Sequence, residues 1–295
     1  MPETEHKGRK VYWESHGEGD TLVMIRGFGS SADHWYAQVP AFSKFYRVII
    51  FDNRAIARSS DPGGSFTIKD MAEDTIGLMD ALDLDSAHVL GLSMGGMIAQ
   101  EMAIHYPSRV KGLILAVTHC GGKQYVPPAK RVTQAFQRLV DEGSPESRME
   151  AFSYLFAPQI LRRKQQIVQE YITVSMAHPA RQDVLKRQWD AVLGHDACDR
   201  LQLIKAETLI LTGSADVLVP PVNSTIMAEW IPRSELVIIQ GGGHQVLIEQ
   251  PDACNQAVIG FLRKFATKAD EAFSANSHQR NEKAGPVADD ACRKS

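Results

Sequence analysis

Gly91-Leu92-Ser93-Met94-Gly95-Gly96 sets small residues two before and two after a lone serine, between an apolar run and an amphipathic one. Ala87-His88-Val89-Leu90 reads as a buried strand, and Met97 through Tyr106, stopped by Pro107, reads as a helix whose start is packed with glycine. A strand that turns at once into a helix forces the serine into strained backbone angles, and any side chain larger than hydrogen at Gly91 or Gly95 would collide across that turn. Ser93 is therefore a candidate nucleophile with its hydroxyl lifted into the open. The Met94 backbone N–H, at the helix N-terminus, is placed to donate to a developing oxyanion. The pattern alone arises by chance; a strand before, a helix after, and acid and base candidates downstream give it weight.

Outward from this turn, strand-like and helix-like runs alternate. Lys10 to Ser15 reads as an opening strand, followed by the buried runs Thr21-Leu22-Val23-Met24-Ile25 and Tyr46 to Phe51. Thr67 reads as the N-cap of a helix whose core face is Met71, Thr75, Leu78, Met79 and Leu82. Val110 to Val117 is a further strand, so the pattern implies a mostly parallel sheet flanked by helices on both faces. From about Gly122 to Ile204 the alternation stops, and Thr133–Val140, Glu146–Phe156, Leu161–Met176 and Gln182–Leu193 read as amphipathic helices. Thr208 to Thr212 and Leu236 to Ile239 then resume the strands, and Pro251 to Phe265 reads as a last helix. The expected organisation is a core of residues 1–121 and 205–267, a helical cap at 122–204, and a disordered tail at 268–295 whose removal should change stability little.

The chain has 295 residues, 44% hydrophobic and 23% charged, with formal net charge −3. That balance is ordinary for a soluble globular protein and points to neither nucleic acid nor an anionic membrane. Met1 to Lys7 is charged, without the apolar core of a signal peptide, and no run is long and uncharged enough to span a bilayer, so a cytoplasmic location is expected. Cys120, Cys198, Cys254 and Cys292 lack C-x-x-C spacing and read as free thiols, with neither a disulfide nor a zinc site implied. Cys120, beside His119, reads as a small buried hydrophobe rather than a second nucleophile.

A serine hydroxyl needs a base within hydrogen-bond reach and a carboxylate to orient that base. Asp216, in Gly213-Ser214-Ala215-Asp216, lies just beyond a strand at the sheet edge that carries Ser93. His244 follows Gly241-Gly242-Gly243 beyond the next strand, in a loop the glycines leave free to swing the ring inward. Arg26-Gly27-Phe28-Gly29-Ser30-Ser31 is a loop whose glycines let backbone N–H groups approach a ligand closely.

Gly91 to Gly96, Gly213 to Asp216 and Gly241 to His244 resemble the three triad motifs of α/β-hydrolase-fold proteins, and the resemblance covers nearly everything except the tail. Ala41-Phe42-Ser43, Asp52-Asn53-Arg54 and Gly91 to Met97 are most similar to the 3-oxoadipate enol-lactonase-like and carboxylesterase branch, which hydrolyses lactones and esters. The resemblance implies an acyl-enzyme mechanism without cofactor or metal: Ser93 attacks, His244 shuttles the proton, Asp216 orients His244, and the Phe28 and Met94 N–H groups form the oxyanion hole. Arg26, Gly27, His34, Trp35 and His119 are the candidate substrate contacts, and the partner is a small-molecule ester or lactone. Related branches give the alternatives: a carbon–carbon hydrolase of diketones, a cofactor-free perhydrolase or haloperoxidase, or a non-enzymatic small-molecule receptor. Two departures stand out. Arg26 replaces the usual histidine, and is expected either to pair with a carboxylate such as Asp52 or to meet an anionic substrate. Ala55 and Ala57 replace usual glycines, which implies a different path for that turn.

Overall fold

The computed structural model describes residues 3–6 and 8–265; the expectation for the tail at 268–295 lies outside them. One sheet holds eight strands, β1 (Glu3–His6), β2 (Arg9–His16), β3 (Thr21–Ile25), β4 (Arg47–Phe51), β5 (Ala87–Leu92), β6 (Val110–Ala116), β7 (Glu207–Gly213) and β8 (Ser234–Ile239), in the order β1-β2-β4-β3-β5-β6-β7-β8. The first two strands run antiparallel and the pairs from β4 to β8 are parallel. The helices are α1 (Val39–Phe42), α2 (Ile68–Ala81), α3 (Met94–His105), α4 (Lys130–Glu142), α5 (Pro145–Ser153), α6 (Pro158–Arg163), α7 (Gln165–Ala177), α8 (Gln182–Leu193), α9 (Val222–Trp230), α10 (Val246–Glu249) and α11 (Pro251–Leu262).

Strands β3, β5 and β6 are nearly continuous apolar runs because both of their faces are covered. Val23, Ile25, Val89 and Leu113 pack on α2 and α3, through Met71, Met79, Ile98 and Met102. Leu22, Met24, Leu90 and Ile114 pack on the other face against Phe42, Val258 and Phe261. Each such side chain contributes about 1.5–3 kcal/mol by leaving water. Thr67 caps α2 in a full capping box with Asp70, as its position predicts.

Two local expectations need correction, on one helix and on a cysteine pair. The single helix read over Leu161–Met176 is two helices, broken at Lys164, whose φ of −130° and ψ of 50° leave the helical region. Ala55 and Ala57 both adopt left-handed φ, 62° and 44°, a conformation strained for alanine and open to glycine. Cys120 and Cys198 are joined as a disulfide with Cα atoms 4.8 Å apart, while Cys254 is free. The pairing is invisible to local spacing because 78 residues separate the two cysteines. The Gly121–Asp196 bridge brings together the chain leaving β6 and the chain returning toward β7.

The parallel register aligns the carboxyl ends of β3, β5, β6, β7 and β8 at one edge, so the loops carrying Phe28, Ser93, His119, Asp216 and His244 converge there. Helices α4 to α8 lie between β6 and β7 in the chain and have their own apolar centre, built on Phe136, Leu139, Phe156, Tyr171 and Leu185. Among the described residues no helix is long and apolar enough to cross a membrane.

Candidate active site

Ser93 stands between β5 and α3 with φ 56° and ψ −119°, a strained conformation for a residue with a side chain. A Cβ at Gly95 would fall on the Ile25 carbonyl oxygen and lie 2.8 Å from that of Arg26, and one at Gly91 would fall on the Gly95 carbonyl. Both glycines are thus required by close backbone approach. Strain continues next door at Val117, a β-branched residue with φ 46°, which the sequence did not signal. Its N–H donates to the Leu211 carbonyl at 2.8 Å, and the hydroxyl of Thr118 donates to the Ser93 carbonyl at 2.7 Å. The serine turn is therefore tied to the end of β6, which is tied in turn to β7.

His244 Nε2 lies 3.1 Å from Ser93 Oγ, and its Nδ1 lies 2.8 Å from an Asp216 carboxylate oxygen. An ionised carboxylate only accepts, so Nδ1 carries the proton and Nε2 presents its lone pair to the serine hydroxyl. The other Asp216 oxygen accepts the N–H groups of Leu218 and Val219, both at 2.9 Å, which fixes the carboxylate in one orientation. The His244 loop is held rather than free to swing: Glu249 accepts the N–H groups of Gly243 at 2.8 Å and Ala157 at 3.1 Å. Gly242 and Gly243 are needed for that packing, since a Cβ at Gly243 would strike Ala157 and Glu249. Met94 is the first residue of α3, so its N–H has no acceptor within the helix. The loop carrying Phe28 is braced from α8, where Gln188 Oε1 accepts the Gly29 N–H at 2.8 Å.

Two chambers meet at Ser93 and Phe28. The smaller, about 70 Å³, is walled by Leu139, Phe152, Leu155 and Leu185, with Arg148, Tyr171, Ser175, His244 and Gln245 supplying polar atoms. The larger, about 560 Å³, runs between Met97, Tyr125, Trp189 and Val192. His119 lines it, stacked on Tyr125 with ring centroids 3.9 Å apart. The Gly121 N–H donates to His119 Nδ1 at 3.1 Å, so the neutral ring carries its proton on Nε2. Burial first, and then the charges of His195 and His244, pull the His119 pKa down to about 3.

Of the candidate substrate contacts, Gly27 lines the smaller chamber and His119 the larger; Arg26, His34 and Trp35 line neither. His34 is buried and bonded through Nε2 to the Ser175 hydroxyl at 2.9 Å, with its pKa pulled down to about 3 by burial and then by Arg26. Arg26 does not pair with Asp52. Asp52 is taken by Arg58, at 2.7 and 3.1 Å, and by the Ala32 N–H at 2.7 Å. The Arg26 guanidinium is sealed over the Trp35 ring, 4.8 Å from its centroid, with one 3.4 Å bond to Gln245 and with Nε and Nη1 lacking a hydrogen-bond partner. Its burial lowers the guanidinium pKa to about 10. Arg148 and Tyr171 in the chamber wall and Gln188 behind the Phe28 loop stand on helices without a motif, so the sequence does not single them out; Gln245 is discoverable only as the neighbour of His244.

The family profile described as alpha/beta hydrolase fold matches residues 20–251. The chain is 29% identical over 263 residues to a protein of Azorhizobium caulinodans named "Putative carbamate hydrolase RutD", covering 88% of this chain and 98% of that one. A solved thermophilic esterase from Thermogutta terrifontis superposes with TM-score 0.79 at 27% identity, over 90% of this chain and 100% of the other. The enol-lactonase from Burkholderia xenovorans superposes with TM-score 0.80 over 88% and 99%; at 23% identity that likeness concerns the fold alone.

Proposed function

Because this chain belongs to the alpha/beta hydrolase fold family, we propose that it is a serine hydrolase cleaving a carboxylic ester or lactone through an acyl-enzyme, with residues 122–204 acting as a cap over the site. The observation that carries the reading is the relay Ser93–His244–Asp216 at 3.1 and 2.8 Å, opening between two chambers. Ser93 Oγ attacks the carbonyl carbon while its proton passes to His244 Nε2. The carbonyl oxygen becomes an oxyanion that accepts from the Phe28 and Met94 N–H groups, each such donor being worth about 3–4 kcal/mol in enzymes of this chemistry. The tetrahedral adduct collapses, the C–O bond breaks, and His244 returns the proton to the leaving alkoxide. A water, deprotonated by the same histidine, then attacks the acyl carbon and releases the acid and Ser93. Asp216 holds the ring in one tautomer and stabilises the imidazolium.

A carbamate is the second reading, favoured by the name of the Azorhizobium relative; its carbonyl would meet the same groups. The test is a panel of aryl esters, lactones, carbamates and ring-cleavage diketones assayed with the parent and Ser93→Ala. The expected outcome is ester or lactone turnover that falls by at least about a thousandfold in Ser93→Ala with an unchanged melting curve. A phosphonyl fluoride should label Ser93 alone. Near-parent activity in that variant overturns the mechanism, and turnover confined to carbamates transfers the assignment to the second reading.

A further inference from the structure

Resting on that reading of Ser93, the geometry points to Arg148 as the anchor for a carboxylate on the short side of the substrate. We infer that the smaller chamber takes a compact anionic group while the larger takes the uncharged bulk.

Arg148 projects from α5 to the wall of the chamber that contains Ser93 and His244. One of its nitrogens donates to the Ala180 carbonyl at 3.1 Å, which steadies the guanidinium without neutralising it. The acid two residues on, Glu150, is held by Arg138 at 2.8 and 2.7 Å. Burial alone depresses the Arg148 pKa, with no charged group contributing. None of the described residues lining the chamber is acidic. Behind it, Gln245 separates the chamber from the second uncompensated cation, Arg26. A half-buried guanidinium with no acid nearby is costly to keep in an apolar wall, and a carboxylate ligand removes that cost through charge-assisted hydrogen bonds.

Size narrows the class further. A volume of about 70 Å³ holds roughly five to seven water-sized groups, enough for a four-carbon dicarboxylic half and too little for a long acyl chain. The second chamber is some eight times larger, about 560 Å³, and walled largely by aromatic and aliphatic side chains. His119 Nε2–H is a donor there for an uncharged oxygen of the larger half.

The test compares two isosteric substrates, 2-naphthyl hydrogen succinate and 2-naphthyl 4-methylpentanoate, in which an isopropyl group replaces the carboxylate. Parent protein should prefer the anionic ester by about ten- to a hundredfold in kcat/KM, the usual yield of a charge-assisted bond. Arg148→Met should abolish the preference through KM for the anionic ester, leaving the neutral ester within about twofold. Arg148→Lys, which keeps the charge, should retain part of it and controls for folding, together with the melting temperature of each variant. Equal losses on both esters in Arg148→Met, or a preference that survives it, overturn the proposal. A second arm is independent of turnover: succinate binding measured by calorimetry on the intact protein should be present in the parent and lost in Arg148→Met. If neither ester is hydrolysed but succinate binds through Arg148, the hydrolase reading fails and the anion site stands. Absence of succinate binding in the parent sinks the anion site whatever the hydrolysis shows.

Discussion

The turn that carries Ser93 and the helices α4, α5, α7 and α8 wall the same two chambers but are built on opposite principles. Around Ser93 backbone meets backbone: Gly91 and Gly95 have no room for a Cβ, and Ser93 and Val117 sit at positive φ. Such a site has one arrangement, and its cost is met by the sheet packed beneath it. The helices instead meet the chambers with side chains, Arg148, Phe136, Tyr171 and Trp189, over an apolar cluster of their own. Volume-conserving changes are tolerated there at about 1.5 kcal/mol or less. On the proposed function, the chemistry is fixed where the backbone leaves no freedom, and selectivity is set where side chains can change.

The sharpest way to break this contrast is Gly95→Ala. The added methyl lands on the Ile25 carbonyl, backbone of a central strand that cannot shift without breaking its register with β4 and β5. The expected cost is on the order of 5 kcal/mol, comparable with the whole stability of a typical domain, so little soluble folded protein should be recovered. A folded, active Gly95→Ala protein with a melting temperature near the parent's would mean that the turn has slack the packing denies.

The same contrast explains what the sequence disclosed. A glycine forced by backbone contact leaves a fixed spacing around the residue it serves, so Ser93, and with it Asp216 and His244 at the next strand ends, are legible as motifs. Thr67 is legible because a capping box is local. Arg148 is not, because one arginine on an amphipathic helix gives no sign of which cavity its helix will wall. The break at Lys164 escapes notice because the apolar period runs straight through it. The Cys120–Cys198 pair depends on how the chain leaves and re-enters the sheet. Arg26 was conspicuous as a departure from pattern, yet its surroundings, Trp35 beneath and Gln245 beside it, come from residues far away in the chain or around a turn.

Acid should act next most strongly, at the seam between the two regions. His34 meets α7 through Ser175, His119 lies in the loop after β6, and His195 follows α8; burial is the first cause holding all three below the usual value of 6.5, at about 3, 3 and 4. The unfolded chain therefore takes up protons that the folded one refuses. Stability is full above pH 6.5 and is lost as pH falls toward the folded values. At pH 5.5 each group costs about 1.4 kcal/mol, or roughly 4 kcal/mol for the three. Urea unfolding at pH 7.5 and pH 5.5 reads the difference directly, and equal stabilities at the two values would show that the three rings are protonated inside the fold.

The smallest effect is expected at Arg26, and its sign is the informative part. A paired buried arginine would make its removal costly, by about 3–5 kcal/mol. Here the expected partner, Asp52, belongs to Arg58, and Arg26 keeps one long bond to Gln245 and the Trp35 face. The ring contact contributes about 1–2 kcal/mol where water is excluded. Against it stands an uncompensated buried charge with two nitrogens lacking partners. Arg26→Met keeps the length and apolar stem, preserves most of the packing on Trp35 and removes the charge. Its stability should rise by about 1 kcal/mol, a gain of roughly 2–4 °C in melting temperature for a protein of this size. Neutral-ester kinetics should not change, because Arg26 lines neither chamber. A fall of several degrees would mean that something compensates the guanidinium. Arg26 would then belong with the rigid sheet edge rather than lie strained behind it.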